Sequence, residues 1–250
     1  MFSDARIKAA KDVFNKIGES AKKQAEKLNP TAAFEQAFGP AKYLAHKHVE
    51  IIYDEDPNIS QADAIATLER RLMQQTAGTG AAVGAAATMP GIGTITALGG
   101  AVADSVSFLA LSCAHVYGVM KVMNIELPDE EHERALVMSI LLGGSNSPAV
   151  KEVAGQDWGH FLLEKKSVEV MKQVNFLLAR HFALRFGTRY GVFTLGKVVP
   201  MGVGAALGGG ANYLLAKSVV EATRATVLDM CKDMGRKDEA TDFLEGEVVE

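Results

Sequence analysis

Apolar positions recur along this chain at helical spacing, and no run alternates as a half-buried strand would. Residues 4–28 place Ala10, Val13, Phe14, Ile17, Ala21, Ala25 and Leu28 on one stripe, and Asn29-Pro30 ends that helix. A second segment, 31–53, carries Phe34, Phe38, Tyr43, Leu44, Val49 and Ile52, with a break expected near Gly39-Pro40. Asp56-Pro57-Asn58 is a turn. Ser60 and Asp63 then resemble a capping box, with Asp where Glu or Gln is usual, and open a helix that runs through Arg70 and Arg71.

That helix leads into an uncharged run, 72–103, interrupted by Met89-Pro90-Gly91. A second uncharged run, 198–216, has the same layout around Pro200-Met201-Gly202. Pro90 matches Pro200 at a spacing of 110, and Gly91 and Gly93 match Gly202 and Gly204 at 111, so the echo needs a one-residue slip. Both read as helical hairpins, and they could lie side by side about a pseudo-twofold axis. Their tips recruit Ile92, Thr94, Val203 and Ala205 where a solvent-facing turn recruits Asp, Asn, Ser or Lys, so the tips are expected in an apolar environment, core or membrane. Gly80 and Gly84, Gly187 and Gly191, and Gly204 and Gly208 sit one helical turn apart, a spacing that lets helices approach closely in lipid or in a tight soluble core.

Between the hairpins, the helix after the first tip runs to about Asn124 and is apolar on every side. Pro128 followed by Asp129, Glu130 and Glu131 starts another, which ends at Gly143-Gly144. Ser147-Pro148 starts a short helix. Asp157 is expected to cap a long amphipathic one ending near Gly187, and the last helix should reach about Met234.

Composition changes this picture little, but charge distribution does. The net charge of −4 hides a basic start, +3 over residues 1–28, and an acidic end, −5 over residues 229–250. The overall charge pattern does not suggest a nucleic-acid binder, and no nucleic-acid partner is expected. Cys113 and Cys231 are far apart and read as free thiols of a reducing compartment. The N-terminus lacks the apolar core of a signal peptide, so the chain is expected in the cytosol or on a cytosolic membrane face.

Candidate chemistry is sparse. Residues 191–197, GVFTLGK, imitate a phosphate-binding loop but lack its Ser or Thr and its preceding strand; Gly78, Gly80 and Gly84 fail as a dinucleotide loop for the same lack of a strand. No metal spacing, nucleophile elbow or paired-carboxylate motif is present, and no cofactor or metal is expected. The notable polar residues are Asp104 and Asn212. Asp104 shares a helix face with Phe108, Leu111 and His115; Asn212 shares one with Leu215, Ala216, Val219 and Thr223, while Lys217, Glu221 and Arg224 are assigned to the other side. Asp104 and Asn212 are expected to meet as a structural hydrogen bond that sets the hairpins in register. The alternative is a ligand or catalytic site of Asp104, His115 and Asn212. Lys16, Lys22 and Lys23 of the first helix, with Arg180, Arg185 and Arg189, are candidates for lipid headgroup contact, and Trp158 could lie at the same layer.

Residues 89–144, with Pro90-Gly91, Asp104, Tyr117-Gly118, Asp129 to Glu131 and Arg134-Ala135-Leu136, resemble the EcsC protein family. The Pro- and Gly-rich stretch leading to Asn212 resembles that family's second signature, and the likeness covers roughly 64–228. The resemblance implies an all-helical bacterial protein with no established catalytic residue, and it favours a membrane-proximal role. A more distant similarity is to helical membrane domains that accompany some bacterial GTPases.

The expected fold is all-α: a single helical domain around two Gly-rich apolar hairpins covered by amphipathic helices. Residues 1–58 would be N-terminal amphipathic helices, 59–236 the EcsC-like domain and 237–250 an acidic tail. The expected function is a membrane-associated interaction or lipid-binding protein, peripheral to or hairpin-inserted at the cytoplasmic membrane face. Its partners would be a membrane surface, a lipid or a membrane protein, and no oligomeric state is implied. The alternative is a hydrolase-type enzyme using Asp104, His115 and Asn212 between the hairpins.

Overall fold

The computed structural model describes residues 30–86, 93–155, 157–196 and 203–236, with side chains described throughout these except at 30–33, 36, 80–86, 93–105, 185–196, 203–209 and 211. The expected first helix with Lys16, Lys22 and Lys23, both hairpin tips and the acidic tail lie outside the described residues, as do the side chains of Asp104, Arg185 and Arg189.

The described residues form eight helices and no strand, as the periodicity predicts. They are α1 (Pro30–Glu55), α2 (Gln61–Ala86), α3 (Gly93–Val122), α4 (Glu130–Leu141), α5 (Pro148–Ala154), α6 (Trp158–Leu163), α7 (Val168–Gly196) and α8 (Val203–Asp233). The break expected at Gly39-Pro40 does not occur, and α1 is continuous through Pro40. Gly39 and Pro40 face outward, while Phe34, Ala37, Phe38, Ala41 and Ala45 are buried. Packing of that inner stripe holds the helix together, and the carbonyl that loses its partner to proline lies on the watered side.

Helix ends follow local chemistry. The Ser60 hydroxyl donates to the Asp63 carboxylate at 2.6 Å and accepts the Asp63 N–H at 3.1 Å, so the Asp version of the capping box is present. Asn124 takes φ 52°, and the Ile125 N–H reaches back to the Met120 carbonyl at 2.9 Å, which closes α3. The Asp129 carboxylate accepts the Glu131 and His132 N–H groups to start α4.

The long helix expected from Asp157 is instead two helices, α6 and α7, separated at 164–167, and Asp157 makes no side-chain cap bond. The physical reason lies in their partners: α6 packs on α8, while α7 runs along α4, and one straight rod cannot serve both. The Lys166 N–H is held at the kink by His132 Nε2, at 3.4 Å. Gly187 does not end α7, which continues to Gly196. Trp158 is likewise not at a headgroup layer. It is fully buried, its indole N–H donates to Ser139 Oγ at 2.9 Å, and its ring stacks on Phe161.

α2 and α3 form the arms of the first hairpin. Gln61 Nε2 donates to the Val122 carbonyl at 2.9 Å, and Gly118 lets Leu68 close onto α3. α1 packs on the α3 side and α8 on the α2 side, with α2 against α8 the most extensive pairing. α8 therefore meets the first hairpin more than it meets α7, its own expected arm. Phe34, Phe38, Tyr117 and Phe182 form an aromatic cluster joining α1, α3 and α7. At the far end, Gly144 at φ 78° brings the 143–147 loop onto α8, where Ser145 Oγ donates to the Asp229 carboxylate at 2.7 Å.

Candidate functional site: a buried polar layer between α2, α3 and α8

Polar groups collect where α2, α3 and α8 meet, and each is delivered by a helix otherwise apolar on that side. On α8, Asn212 is buried, and its side-chain amide donates to the Thr76 carbonyl of α2 at 3.2 Å. The Thr76 hydroxyl is itself buried and donates to the Leu72 carbonyl at 2.7 Å. Asn212 thus spans the two hairpins, as its apolar face predicts. The partner seen is α2 backbone. The Asp104 side chain, expected opposite it, is outside the described residues.

Further along the same helices, Arg224 of α8 grips Glu69 of α2 through two bonds, Nε to Oε1 at 2.7 Å and an Nη to Oε2 at 2.8 Å. Their side chains are only 10% and 1% exposed. This corrects the placement of Arg224 on the outer face with Lys217 and Glu221. Glu221 is exposed as expected, whereas Arg224 lies near the edge of the buried arc, and a guanidinium on a long stem can turn inward to a carboxylate. Such a fork-on-carboxylate pair satisfies both charges in a place where either alone would be costly.

α3 contributes Ser112 and His115, both buried. The Ser112 hydroxyl and both His115 ring nitrogens find no hydrogen-bond partner among the described residues. Burial pushes the His115 pKa down to about 3, and the nearby positive charge of Arg224 pushes the same way. The Leu68 carbonyl favours the proton slightly, from outside hydrogen-bond geometry. His115 is therefore a neutral imidazole at ordinary pH, closed off from water.

Of the three expected site residues, His115 and Asn212 are both buried, each on a helix that packs on α2. Sequence reasoning missed Glu69, yet a signal existed: Ile65, Leu68, Leu72, Met73 and Thr76 are all buried, and Glu69 stands within their stripe. Chemically, the arrangement holds a buried ion pair, a buried neutral imidazole and an amide that donates to a backbone carbonyl. No group of three His, Cys, Asp or Glu able to hold a metal occurs among the described residues. Cys113 and Cys231 are buried and unbridged, and burial raises the Cys113 thiol well above its usual range.

Of the expected headgroup residues, Arg180 is exposed on α7. It lies between Phe176 and Leu184, which are 69% and 63% exposed, and Leu214 of α8 is 66% exposed. No helix among the described residues is long and apolar enough to cross a membrane.

Fold and polar layer together define the class: an all-α protein in which two helical hairpins are tied across a buried ionic and amide layer. No protein-family model, no curated protein and no solved structure matches the chain.

Proposed function

We propose that this is a membrane-associated helical protein of the EcsC type that works by meeting lipid or a membrane partner. The observation that carries the reading is the construction of α2, α3 and α8. α2 and α8 are tied by Arg224 on Glu69 and by Asn212 on the Thr76 carbonyl, and the second of these ties already lies within the uncharged runs 72–103 and 198–216, which continue beyond it. Uncharged Gly- and Ala-rich arms longer than the polar lock needs suit contact with acyl chains or with another apolar surface. No described helix can span a bilayer, so the contact proposed is peripheral or confined to one leaflet. The hydrolase alternative needs an imidazole that exchanges protons with substrate or water. His115, with its buried ring and lowered pKa, is badly suited to that role.

Flotation of the purified full-length chain with vesicles of bacterial lipid tests the proposal. Recovery in the vesicle fraction, persisting after removal of detergent, is expected. A monodisperse protein that stays at the bottom of the gradient and carries no lipid would reject it.

A further inference from the structure

α7 carries an asymmetry that the polar layer does not explain. From Lys172 to Lys197 the chain has five Lys or Arg residues and no Asp or Glu, in a protein whose net charge is −4. The last acid before this stretch is Glu169, at the start of the helix. The buried face of α7 is fixed by Met171, Val174, Asn175, Leu178 and Phe182. Its outer face is therefore fixed too, and there Lys172, Phe176, Arg180 and Leu184 follow one another at four-residue steps, all exposed. At the helical rise this stripe is about 18 Å long. Phe176 and Leu184 are each exposed by about two-thirds on this face, with Arg180 between them. Large apolar side chains alternating with long cations match a bilayer interface, where rings and leucines enter the acyl boundary and ammonium and guanidinium groups stay with phosphate.

We infer that this face of α7 docks on an anionic lipid surface, with Lys172 and Arg180 against phosphate groups and Phe176 and Leu184 inserted beside them. The inference rests on the membrane reading above and adds to it the docking face and the lipid class. Charge complementarity favours an anionic lipid surface over an uncharged apolar partner, because the stretch carries cations along its length and no acid among them.

The test is sedimentation of the full chain with vesicles of phosphatidylcholine alone and of phosphatidylcholine with phosphatidylglycerol. Three proteins are compared: wild type, Lys172→Gln/Arg180→Gln and Phe176→Ser/Leu184→Ser, with helicity checked by circular dichroism. Wild type should prefer the anionic vesicles and lose that preference at high salt. The Gln pair should weaken anionic binding about 25-fold, about fivefold per cation, and the Ser pair should weaken binding to both lipids. Wild type that binds neutral and anionic vesicles equally, with both variants unchanged, would overturn the α7 face and leave the membrane reading standing. Wild type that binds neither would sink both. If the Ser pair instead converts a wild-type dimer to a monomer with vesicle binding intact, the face is a protein interface and the inference is wrong.

Discussion

The Glu69–Arg224 pair offers the sharpest test of how the hairpins are held. Replacing Glu69 by Gln keeps the shape of the side chain and removes its charge, taking from the buried Arg224 guanidinium the carboxylate that its two bonds grip. Breaking one side of a buried pair typically costs about 3 to 5 kcal/mol, against a total stability of about 5 to 15 for a whole domain. For a chain of this size that corresponds to a fall in melting temperature of roughly 6 to 20 °C. Arg224→Met should cost a similar amount by stranding Glu69. The double change Glu69→Leu/Arg224→Met removes both charges together and should lie within about 1 kcal/mol of wild type, or above it. Urea unfolding of wild type, Glu69→Leu, Arg224→Met and the double variant closes a double-mutant cycle, with an expected coupling of about 3 kcal/mol or more. Single variants within about 1 kcal/mol of wild type, or a double variant that costs the sum of the singles, would refute the closed, desolvated pair described here.

His115 predicts a pH dependence of known sign. Its folded pKa is lowered to about 3, so the ring stays neutral in the fold while the unfolded chain takes up a proton near pH 6.5. Its share of stability is complete above pH 6.5 and is lost as pH falls toward 3, at up to about 1.4 kcal/mol per pH unit. His115→Leu should flatten that part of the profile and raise stability at pH 7 by about 1 to 3 kcal/mol, since it removes ring nitrogens without partners; superimposable profiles would count against a buried neutral ring. Gly144 has φ 78°, and a Cβ there would stand 3.0 Å from the Ala222 carbonyl and from Thr226 Oγ, whereas Gly235 at φ 72° faces open space. Gly144→Ala should therefore cost about 2 to 4 kcal/mol and Gly235→Ala only about 1 to 2, and equal costs in chemical unfolding would show that the 143–147 loop does not press on α8.

What was legible in the sequence was what local chemistry decides. Ser60 with Asp63, Asp129 after Pro128, and the glycines at 143 and 144 each marked a helix boundary that the structure has, because a cap or a left-handed turn needs only its own neighbours. Pro40 misled because its effect is settled elsewhere: a helix that buries Phe34, Phe38 and Ala41 survives one missing backbone bond on its outer face. The interruption at 164–167 was invisible for a similar reason, since only the different partners of α6 and α7 require it. Trp158 read as an interface residue from its type alone, yet a hydroxyl on α4 satisfies its N–H in the core.

The candidate site divides along the same line. Asn212 and His115 were visible because each is a polar residue on an apolar face, a contradiction that periodicity exposes. Arg224 was hidden because a 100° rotation rule places its Cα near the edge of that face and is silent on where a long side chain ends. The layer these residues form has a structural logic of its own. Arms built from glycine, alanine and small aliphatic residues present nearly the same surface at every turn, so packing alone discriminates weakly between one register and the next. Asn212 bonded to Thr76 and Arg224 forked on Glu69 tie α8 to α2 at two heights. A slip of one helical turn, about 5.4 Å, would part both pairs and bury their charges and amides unsatisfied. The polar layer thus specifies which surfaces of α2 and α8 meet, one tie standing in the charged part of these helices and the other within their uncharged runs.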